Sequence, residues 1–327
     1  MHLDFASSPR STLGVEWEIA LVDRGTGDLV SAAGEILDEL RVDGAEHPHI
    51  TGELLLNTVE LVSGVHTRVA DAVDQLRGLL DEVRAHTDPR GIELMCAGSH
   101  PFGQWFDQAV TDKERYHTLI ERTQWWGRNM MIWGVHVHVG VEDASKVIPL
   151  LRGLLSYLPH FQALSASSPF WAGEATGYAS NRALMFQQLP TAGLPFDVPD
   201  WAAFEGFVDD LTRTGVVSGV DEVRWDVRPS PRWGTLEMRA CDGLSSPEEV
   251  GARGVERLVT DELADLVERL LPVADELGCA AELGSILPIL ATGGSSRRQL
   301  AVARDNAGDL RAVVAALTGE LRSGLRL

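Results

Sequence analysis

Charged side chains and imidazoles recur at every second position in three segments of the sequence. These polar residues are Glu16 and Glu18 in 15–19, His136 and His138 in 135–141, and Arg224, Asp226, Arg228, Thr235, Glu237 and Arg239 in 224–239. Side chains of a strand alternate between two faces, so this spacing predicts strands with one polar and one apolar face. If these strands share a sheet, one face of it collects carboxylates, imidazoles and guanidiniums.

That combination of side chains suits a magnesium nucleotide. Carboxylates with imidazole and no cysteine favour hard divalent cations, and Mg²⁺ in particular is held by few carboxylates together with water and phosphate. Arginine offers a rigid bidentate fork for phosphate or carboxylate. Two blander interpretations stand beside this one. An alternating strand is also typical of a solvated sheet, and His136-x-His138 alone is more typical of a zinc pair or of surface histidines.

The segment 52–60 contributes two further carboxylates, Glu53 and Glu60. Their separation of seven residues puts them on opposite faces of an ideal strand. Both can reach one site only if the chain bends, bulges or turns between them. The pattern alone therefore favours Glu60 over Glu53.

The composition excludes some classes of partner. The chain has 327 residues, with 28 Lys and Arg against 48 Asp and Glu, which gives a net charge of −20. Such an acid excess argues against binding to nucleic acid or to an anionic membrane. Nowhere do 18 apolar residues run together, which predicts no membrane span. The three cysteines are few and far apart, as expected in a reducing cytoplasm.

The remaining pattern predicts an α+β fold built as one catalytic domain over 1–327. A sheet-containing core spans 1–247, and a helical C-terminal tail over 248–327 packs on it. A further strand is predicted at 92–97 and a hairpin turn at 229–232. Apolar spacing of three or four predicts helices at 68–86, 114–131, 146–166 and 201–213, with Asp200 capping the last, and helical breaks near Gly278 and at 293–295.

Seven ordered segments resemble the carboxylate-amine ligase family, the type 2 glutamate–cysteine ligases. They are 14–18 (GVEWE), 53–60 (ELLLNTVE), 98–101 (GSHP), 134–140 (GVHVHVG), 165–171 (SASSPFW), 177–182 (GYASNR) and 225–239. The resemblance runs from about residue 12 to 247 and resumes in the tail. It implies a glutamine-synthetase-like catalytic domain, an antiparallel sheet with a concave active-site face and helices packed on the other side.

The resemblance also implies roles for individual residues. Mg²⁺ or ATP·Mg²⁺ ligands would be Glu16, Glu18, Glu53, Glu60, His136 and Glu237. Substrate and ATP contacts would be Arg182, Arg228, Arg239 and His138, with Arg239, Arg228 and Glu237 closest to the chemistry. Glu53, which periodicity leaves open, is thereby included, and magnesium is preferred to zinc.

The implied activity is ATP-dependent ligation of glutamate to cysteine or a related amine in the cytoplasm, in a possible homodimer. Family members have an additional helical stretch where residues 247–258 here pass directly into the tail. Either the protein lacks that stretch, or the protein has it and the 327-residue sequence omits it. A true deletion would remove basic residues near the rim of the site. Two alternatives follow: a catalytically weak nucleotide- or amino-acid-binding protein, and a zinc-dependent hydrolase using His136 and His138.

Overall fold

The computed structural model describes residues 2–246 and 259–324. Seven strands form one sheet: β1 (Leu13–Asp23), β2 (Ile50–Gly52), β3 (Thr58–Val62), β4 (Ile92–Met95), β5 (Gly134–Gly140), β8 (Val227–Ser230) and β9 (Thr235–Asp242). The strand order is β2-β3-β1-β5-β9-β8, and β4 pairs with the end of β1. Each strand pair is antiparallel. Two short strands, β6 (Phe170–Trp171) and β7 (Glu174–Ala175), pair separately.

The helices of the described residues surround this sheet. Within residues 2–246 they are α1 (Ala33–Glu39), α2 (Val69–Thr87), α3 (Glu114–Thr123), α4 (Trp125–Arg128), α5 (Ala144–Leu155), α6 (Leu158–Ser165), α7 (Asn181–Phe186) and α8 (Trp201–Arg213). Within residues 259–324 they are α9 (Val259–Glu276), α10 (Ala280–Gly284), α11 (Ile286–Thr292), α12 (Ser295–Asp305) and α13 (Leu310–Ser323). In these ranges no helix is long and apolar enough to cross a membrane.

Helices cover the apolar face of the sheet. Trp17 and Ile19 of β1 are fully buried and share a core with Leu76 and Leu80 of α2. A second core joins helices α5 and α8 to strands β8 and β9, centred on the buried Trp225. The alternation of β1 therefore does what the sequence predicts: its apolar side chains meet helices, and its carboxylates point to the other face.

The C-terminal helices also contact the sheet. Side chains of α12 and α13, including Val313 and Leu317, pack with Ala20 and Met95 of strands β1 and β4. Helices α9 and α11 instead form a small core with Leu164 of α6. The predicted continuous passage through 247–258 lies outside the described residues.

Three sequence-based boundaries were wrong. The predicted helix 114–131 divides at Gln124, which has a positive φ of 52°. The predicted helix 146–166 divides between Leu155 and Leu158, and Pro159 lies in the first turn of α6, where its missing N–H costs no helical hydrogen bond. The hairpin turn lies at 231–234 and not at 229–232, since Pro229 belongs to β8. A proline fits there because β8 is an edge strand.

The predicted helix 201–213 and its cap are confirmed. Helix α8 begins at Trp201, and the Asp200 carboxylate accepts a hydrogen bond from the Ala203 N–H at 2.9 Å. The cap satisfies one of the N–H groups that the first turn leaves without a helical partner.

Candidate active site

Strand pairing brings the polar side chains of β1, β3, β5 and β9 together. The facing pairs are Glu16 with His136, Glu18 with Glu60, and His138 with Glu237. Directly paired residues of antiparallel strands project to the same face with their Cβ atoms about 5 Å apart. Four strands that are distant in the sequence thus present their carboxylates and imidazoles side by side.

A bulge in β9 decides which of its residues face the site. The β5–β9 register shifts between Val135 and Val137, so Arg239 and Ala240 together oppose a single residue of β5. The bulge leaves Arg239 on the polar face and returns Cys241 to the apolar core, where it is buried. Cys241 therefore lies away from the site, and burial raises the pKa of its thiol to about 11.

Three overlapping groups on this face could each hold a metal ion. They are Glu16, His138 and Glu237; Glu16, Glu60 and His136; and Glu18, Glu53 and Glu60. Within each group the possible ligand atoms lie within 4.8 Å of one another. We call these seven residues the carboxylate cluster. Glu53 joins it because the chain turns between the end of β2 at Gly52 and the start of β3 at Thr58, the bend that the sequence required.

Glu16 lies between the two histidines of β5. Its two oxygens are 2.9 Å from His136 Nδ1 and 3.1 Å from His138 Nε2. Burial alone would raise the pKa of Glu16, but these hydrogen bonds hold it well below its usual range. Burial and the nearby Arg239 lower the pKa of His136 to about 4. Glu16 is therefore a carboxylate and His136 a neutral imidazole at pH 7, the forms that bind metal ions.

Like charges crowd the other end of the carboxylate cluster. Burial, followed by the charge of Glu53, raises the pKa of Glu18 to about 7. Burial and the charges of Glu53, Glu16 and Glu18 raise the pKa of Glu60 well above its usual range. A divalent cation among these oxygens would offset the repulsion, and an all-oxygen donor set suits Mg²⁺. The side chains that the structure brings together therefore fit the metal that the resemblance implies.

Glu237 links the acidic and basic parts of the site. Arg228 Nε donates to Glu237 Oε2 at 2.6 Å, and Arg239 donates to the other oxygen. Burial would raise the pKa of Glu237, but the charges of Arg239 and Arg228 hold it well below its usual range. One nearly inaccessible carboxylate thus fixes two guanidiniums on adjacent strands.

Arg182 and Arg239 keep buried donors without a partner. Arg182 comes from α7 and passes over Gly134, where any Cβ would collide with its guanidinium. Its Nη1 donates to the Arg239 carbonyl at 3.2 Å. The Nε–H groups of both arginines are buried and make no hydrogen bond to another described residue. Buried donors are normally satisfied, so these two point to an anionic ligand between them.

A cavity of about 470 Å³ adjoins these donors. We call it the arginine cavity; its charged and polar lining residues are Glu18, Glu53, Arg115, Tyr116, His136, Arg182, Asp221, Glu222, Arg224 and Arg239. Sequence reasoning did not assign Arg115, Tyr116 or Arg224 to the site. Arg115 and Tyr116 of α3 carry no signal beyond helical spacing, whereas Arg224 alternates with Asp226 and Arg228 and was placed on the polar face without a role in the site. Burial lowers the pKa of Arg224 to about 10.

A sequence model described as glutamate-cysteine ligase family 2 matches residues 12–253. The chain belongs to this family. The resemblance that the motifs indicated is confirmed, and the match spans the whole sheet that carries the site.

Relatives of the ligase family match along nearly the whole chain. A protein of Leifsonia xyli subsp. xyli, named "putative glutamate--cysteine ligase 2", is 54% identical over 375 positions, covering 99% of each chain. Its namesake in Clavibacter michiganensis subsp. michiganensis is 52% identical, covering 99% of this chain and 98% of that one. The alignment of 375 positions exceeds the 327 residues here by 48. The Leifsonia protein therefore has at least that many residues without a counterpart in this chain.

Two solved structures share the fold. A bifunctional glutathione synthetase from Pasteurella multocida superposes with a TM-score of 0.65 at 16% identity, covering 96% of this chain and 51% of that one. A glutamate–cysteine ligase from Francisella tularensis, solved in complex with AMP, gives a TM-score of 0.56 at 12% identity, covering 98% and 94%. The predicted α+β class with an antiparallel sheet is confirmed.

If Mg²⁺ binds the carboxylate cluster, the raised pKa of Glu18 predicts that the stability it adds depends on pH. Burial raises the pKa of Glu18 to about 7 in the folded protein, against 4.5 for an unperturbed glutamate such as that of the unfolded chain. The folded metal-free protein therefore retains a proton that the unfolded chain has released between these values, and its stability falls as pH rises through that window. Bound Mg²⁺ requires the carboxylate. We expect Mg²⁺ to raise the melting temperature more at pH 8 than at pH 6.

The measurement is thermal unfolding with and without Mg²⁺ at the two pH values. The matched variant is Glu18→Gln, in which this part of the pH dependence should disappear. An equal rise in melting temperature at pH 6 and pH 8 in the wild-type protein would contradict the placement of Glu18 beside the metal.

Proposed function

We propose that this protein is an ATP-dependent glutamate–cysteine ligase. The observation that carries the proposal is the polar face of the sheet, where the carboxylate cluster adjoins two arginines whose buried Nε–H donors are unpaired. Acids that suit Mg²⁺ beside donors that suit an oxyanion are what phosphoryl transfer from ATP requires. Membership of glutamate-cysteine ligase family 2 and the names of the relatives support the same activity.

The first step is activation of glutamate. An oxygen of its γ-carboxylate attacks the γ-phosphorus of ATP, and the bond from that phosphorus to the ADP oxygen breaks. The products are γ-glutamyl phosphate and ADP. Arg239 and Arg182 donate to the oxygens of the transferring phosphoryl group, where negative charge must be stabilised. Arg228 and Glu237 hold Arg239 in position through the contacts described above.

The second step forms the amide. The amino group of cysteine attacks the γ-carbonyl carbon, and the bond from this carbon to the phosphate oxygen breaks. Relative to its ammonium form the nitrogen loses two protons, of which the released phosphate takes up one and water takes up the other. No serine or cysteine nucleophile is needed, which agrees with the burial of Cys241 in the core.

We assign the metal to the carboxylate cluster. Glu16, Glu18, Glu53, Glu60, His136 and Glu237 would hold Mg²⁺, and His138 would contact ATP or substrate. When bound, Mg²⁺ neutralises charge on the phosphates during transfer. The carboxylate set is better suited to Mg²⁺ than to zinc, and both histidines hydrogen-bond to one carboxylate, Glu16. The zinc-hydrolase alternative is not favoured.

The proposed activity also implies a domain organisation, a cellular location and a set of partners. Residues 1–327 form one catalytic domain with the C-terminal helices as its tail, and the protein acts on small molecules in the cytoplasm. Neither nucleic acid nor a membrane is a partner, and a homodimer is the proposed assembly. The arginine cavity, with charged groups of both signs, receives glutamate and the amine.

The test is incubation with ATP, Mg²⁺, glutamate and a panel of amines that includes cysteine, with products read by mass spectrometry. We expect ADP and γ-glutamylcysteine in equal amounts, and less product with other amines. If neither ADP nor amide forms with any amine, the protein is instead a nucleotide- or amino-acid-binding protein without ligase activity.

A further inference from the structure

Asp242 ends strand β9 on the same face of the sheet as the carboxylate cluster. It pairs directly with Gly134 of β5, two residues before His136, so its side chain projects to the polar face. The side chain is fully buried. In the described part of the chain, Asp242 belongs neither to the carboxylate cluster nor to the lining of the arginine cavity. The proposed reaction therefore leaves a buried carboxylate beside the site without a role.

Three hydrogen bonds connect the Asp242 carboxylate to two separate segments of the chain. Oδ2 accepts from the Ser167 N–H at 2.9 Å and from the Ser168 hydroxyl at 2.7 Å. Oδ1 accepts from the hydroxyl of Ser180, the residue before α7, at 2.7 Å. A buried carboxylate is tolerated only when its oxygens accept such bonds. Asp242 thus joins the segment 167–168 to the beginning of α7.

Both serine hydroxyls also bind the first turn of α7. Ser168 Oγ accepts from the Arg182 N–H at 3.1 Å, and Ser180 Oγ accepts from the Ala183 N–H at 3.1 Å. These N–H groups are among those that a first helical turn leaves without a helical partner. A hydroxyl has one hydrogen, and each of these donates it to Asp242, which leaves its lone pairs facing the helix. The carboxylate therefore orients both hydroxyls toward α7.

The helix that Asp242 holds in this way carries Arg182. The Arg182 guanidinium lies over Gly134, which is the strand partner of Asp242. Burial raises the pKa of Asp242, and the positive charge of Arg182 opposes that rise. The two side chains thus compensate each other's charge, while the two hydroxyls fix the backbone from which the guanidinium extends.

The C-terminal tail holds the segment 166–168 from its other side. The buried Gln299 of α12 donates from Nε2 to the Ser167 carbonyl at 2.6 Å. The Ser296 N–H, at the start of the same helix, donates to the Ala166 carbonyl at 3.1 Å. The serines that bind Asp242 therefore have fixed positions before any substrate arrives, as a preorganised site requires.

We propose that Asp242 positions Arg182 for phosphoryl transfer by fixing the first turn of α7. The inference rests on the proposed function, in which Arg182 donates to the transferring phosphoryl group. Asp242 is a positioning residue, since it acts on Arg182 through Ser168 and Ser180 and touches no reacting atom. Transition-state stabilisation depends steeply on where a donor lies, so a small shift of α7 lowers turnover and leaves the binding of cysteine unchanged.

The first experiment is steady-state kinetics of Asp242→Asn, alone and combined with Arg182→Ala. The amide keeps the volume of the side chain, but its NH₂ group replaces an acceptor, so a donor that faces it loses its partner. We expect kcat to fall about tenfold or more and KM for cysteine to stay within about twofold. In the Arg182→Ala background the same change should lower kcat by less than about threefold, because residues that act through one contact have non-additive effects.

The second experiment is hydrogen exchange followed by mass spectrometry, which needs no turnover. In Asp242→Asn the amides of 181–186 should exchange about tenfold faster or more, and those of α8 should not change. The matched control is Asp200→Ala, which removes the cap of α8 away from the site. It should speed exchange at the start of α8 and leave kcat unchanged, which separates the loss of a helix cap from the displacement of Arg182.

The inference is overturned if folded Asp242→Asn has a kcat within about twofold of the wild type, or if the losses multiply fully in the double variant. A wild-type protein that makes no amide contradicts the proposed function; unchanged exchange at 181–186 then separately overturns the placement of α7 by Asp242. If Asp242→Asn does not fold, Ser180→Ala replaces it, with an expected loss in kcat of about threefold or more. Ser180→Thr keeps the hydroxyl and should restore kcat, and equal kcat in the two Ser180 variants would count against the inference.

Discussion

Glu237→Gln should reduce ADP formation by about a thousandfold or more. The amide keeps the shape of the side chain but removes the negative charge that faces Arg228 and Arg239 and that we propose binds the metal. A thousandfold loss corresponds to about 4 kcal/mol of transition-state stabilisation. This is a reasonable effect for one buried carboxylate that serves both a metal and two guanidiniums. The measurement is the initial rate of ADP release at saturating ATP and glutamate.

The same contacts predict a cost in stability, which the sequence alone did not reveal. Removing one partner of a buried ion pair costs about 3–5 kcal/mol, so rates must be expressed per folded protein. Glu16→Gln is the companion variant. It also removes a proposed metal ligand, but Glu16 hydrogen-bonds to two histidines and to no arginine, so no hydrogen bond to a guanidinium is lost. Glu174→Gln changes an exposed carboxylate and should leave turnover unchanged. Turnover in folded Glu237→Gln within tenfold of the wild type would refute the metal assignment.

Arg239→Lys should lower turnover by more than tenfold while the protein stays folded. Lysine retains the charge near Glu237, but it lacks the planar fork and the Nε–H that remains unpaired in the structure. The guanidinium also lies 5.7 Å from the centroid of the Phe186 ring, a contact that fixes its orientation. Steady-state kinetics should show the loss chiefly in kcat, because we propose that the missing donor contacts the transferring phosphoryl group.

The matched control for this substitution is Arg213→Lys on the exposed surface of α8, where kinetics should not change. Kinetics of Arg239→Lys within twofold of the wild type would show that the guanidinium does not take part in transfer.

Much of the site could be predicted from the sequence because strand alternation maps spacing directly onto faces. Glu16, Glu18, His136, His138 and Glu237 lie on the polar face that their period of two requires. The order of the strands in the sheet depends on long-range pairing, which local periodicity does not determine. The sequence predicted a shared face, and only the sheet order shows that β1 and β9 flank β5.

Residues contributed by loops and helices were harder to predict. Glu53 needed a turn whose position periodicity could not supply, and the resemblance to the family included it instead. Arg115 reaches the site through the packing of α3, and nothing in its local pattern distinguishes it from a surface arginine. The bulge in β9 was equally hidden, because the extra residue is defined only against the partner strand.

The boundaries that failed did so where one residue overrides a regular pattern. Apolar spacing continues through Gln124, yet this residue adopts a positive φ and ends α3. Pro229 suggests a turn, yet it fits in β8 because an edge strand tolerates a missing N–H. At these positions the packing of the surrounding elements, and not the local sequence pattern, determines the backbone conformation.

The most direct test of the account follows oxygen from glutamate into phosphate. The enzyme is incubated with ATP, Mg²⁺, cysteine and glutamate labelled with ¹⁸O in its γ-carboxylate, and the masses of the products are measured by mass spectrometry. We expect ADP, γ-glutamylcysteine and inorganic phosphate carrying one ¹⁸O atom per amide formed. Unlabelled phosphate, or AMP and pyrophosphate in place of ADP, would contradict activation of glutamate as an acyl phosphate on this face of the sheet.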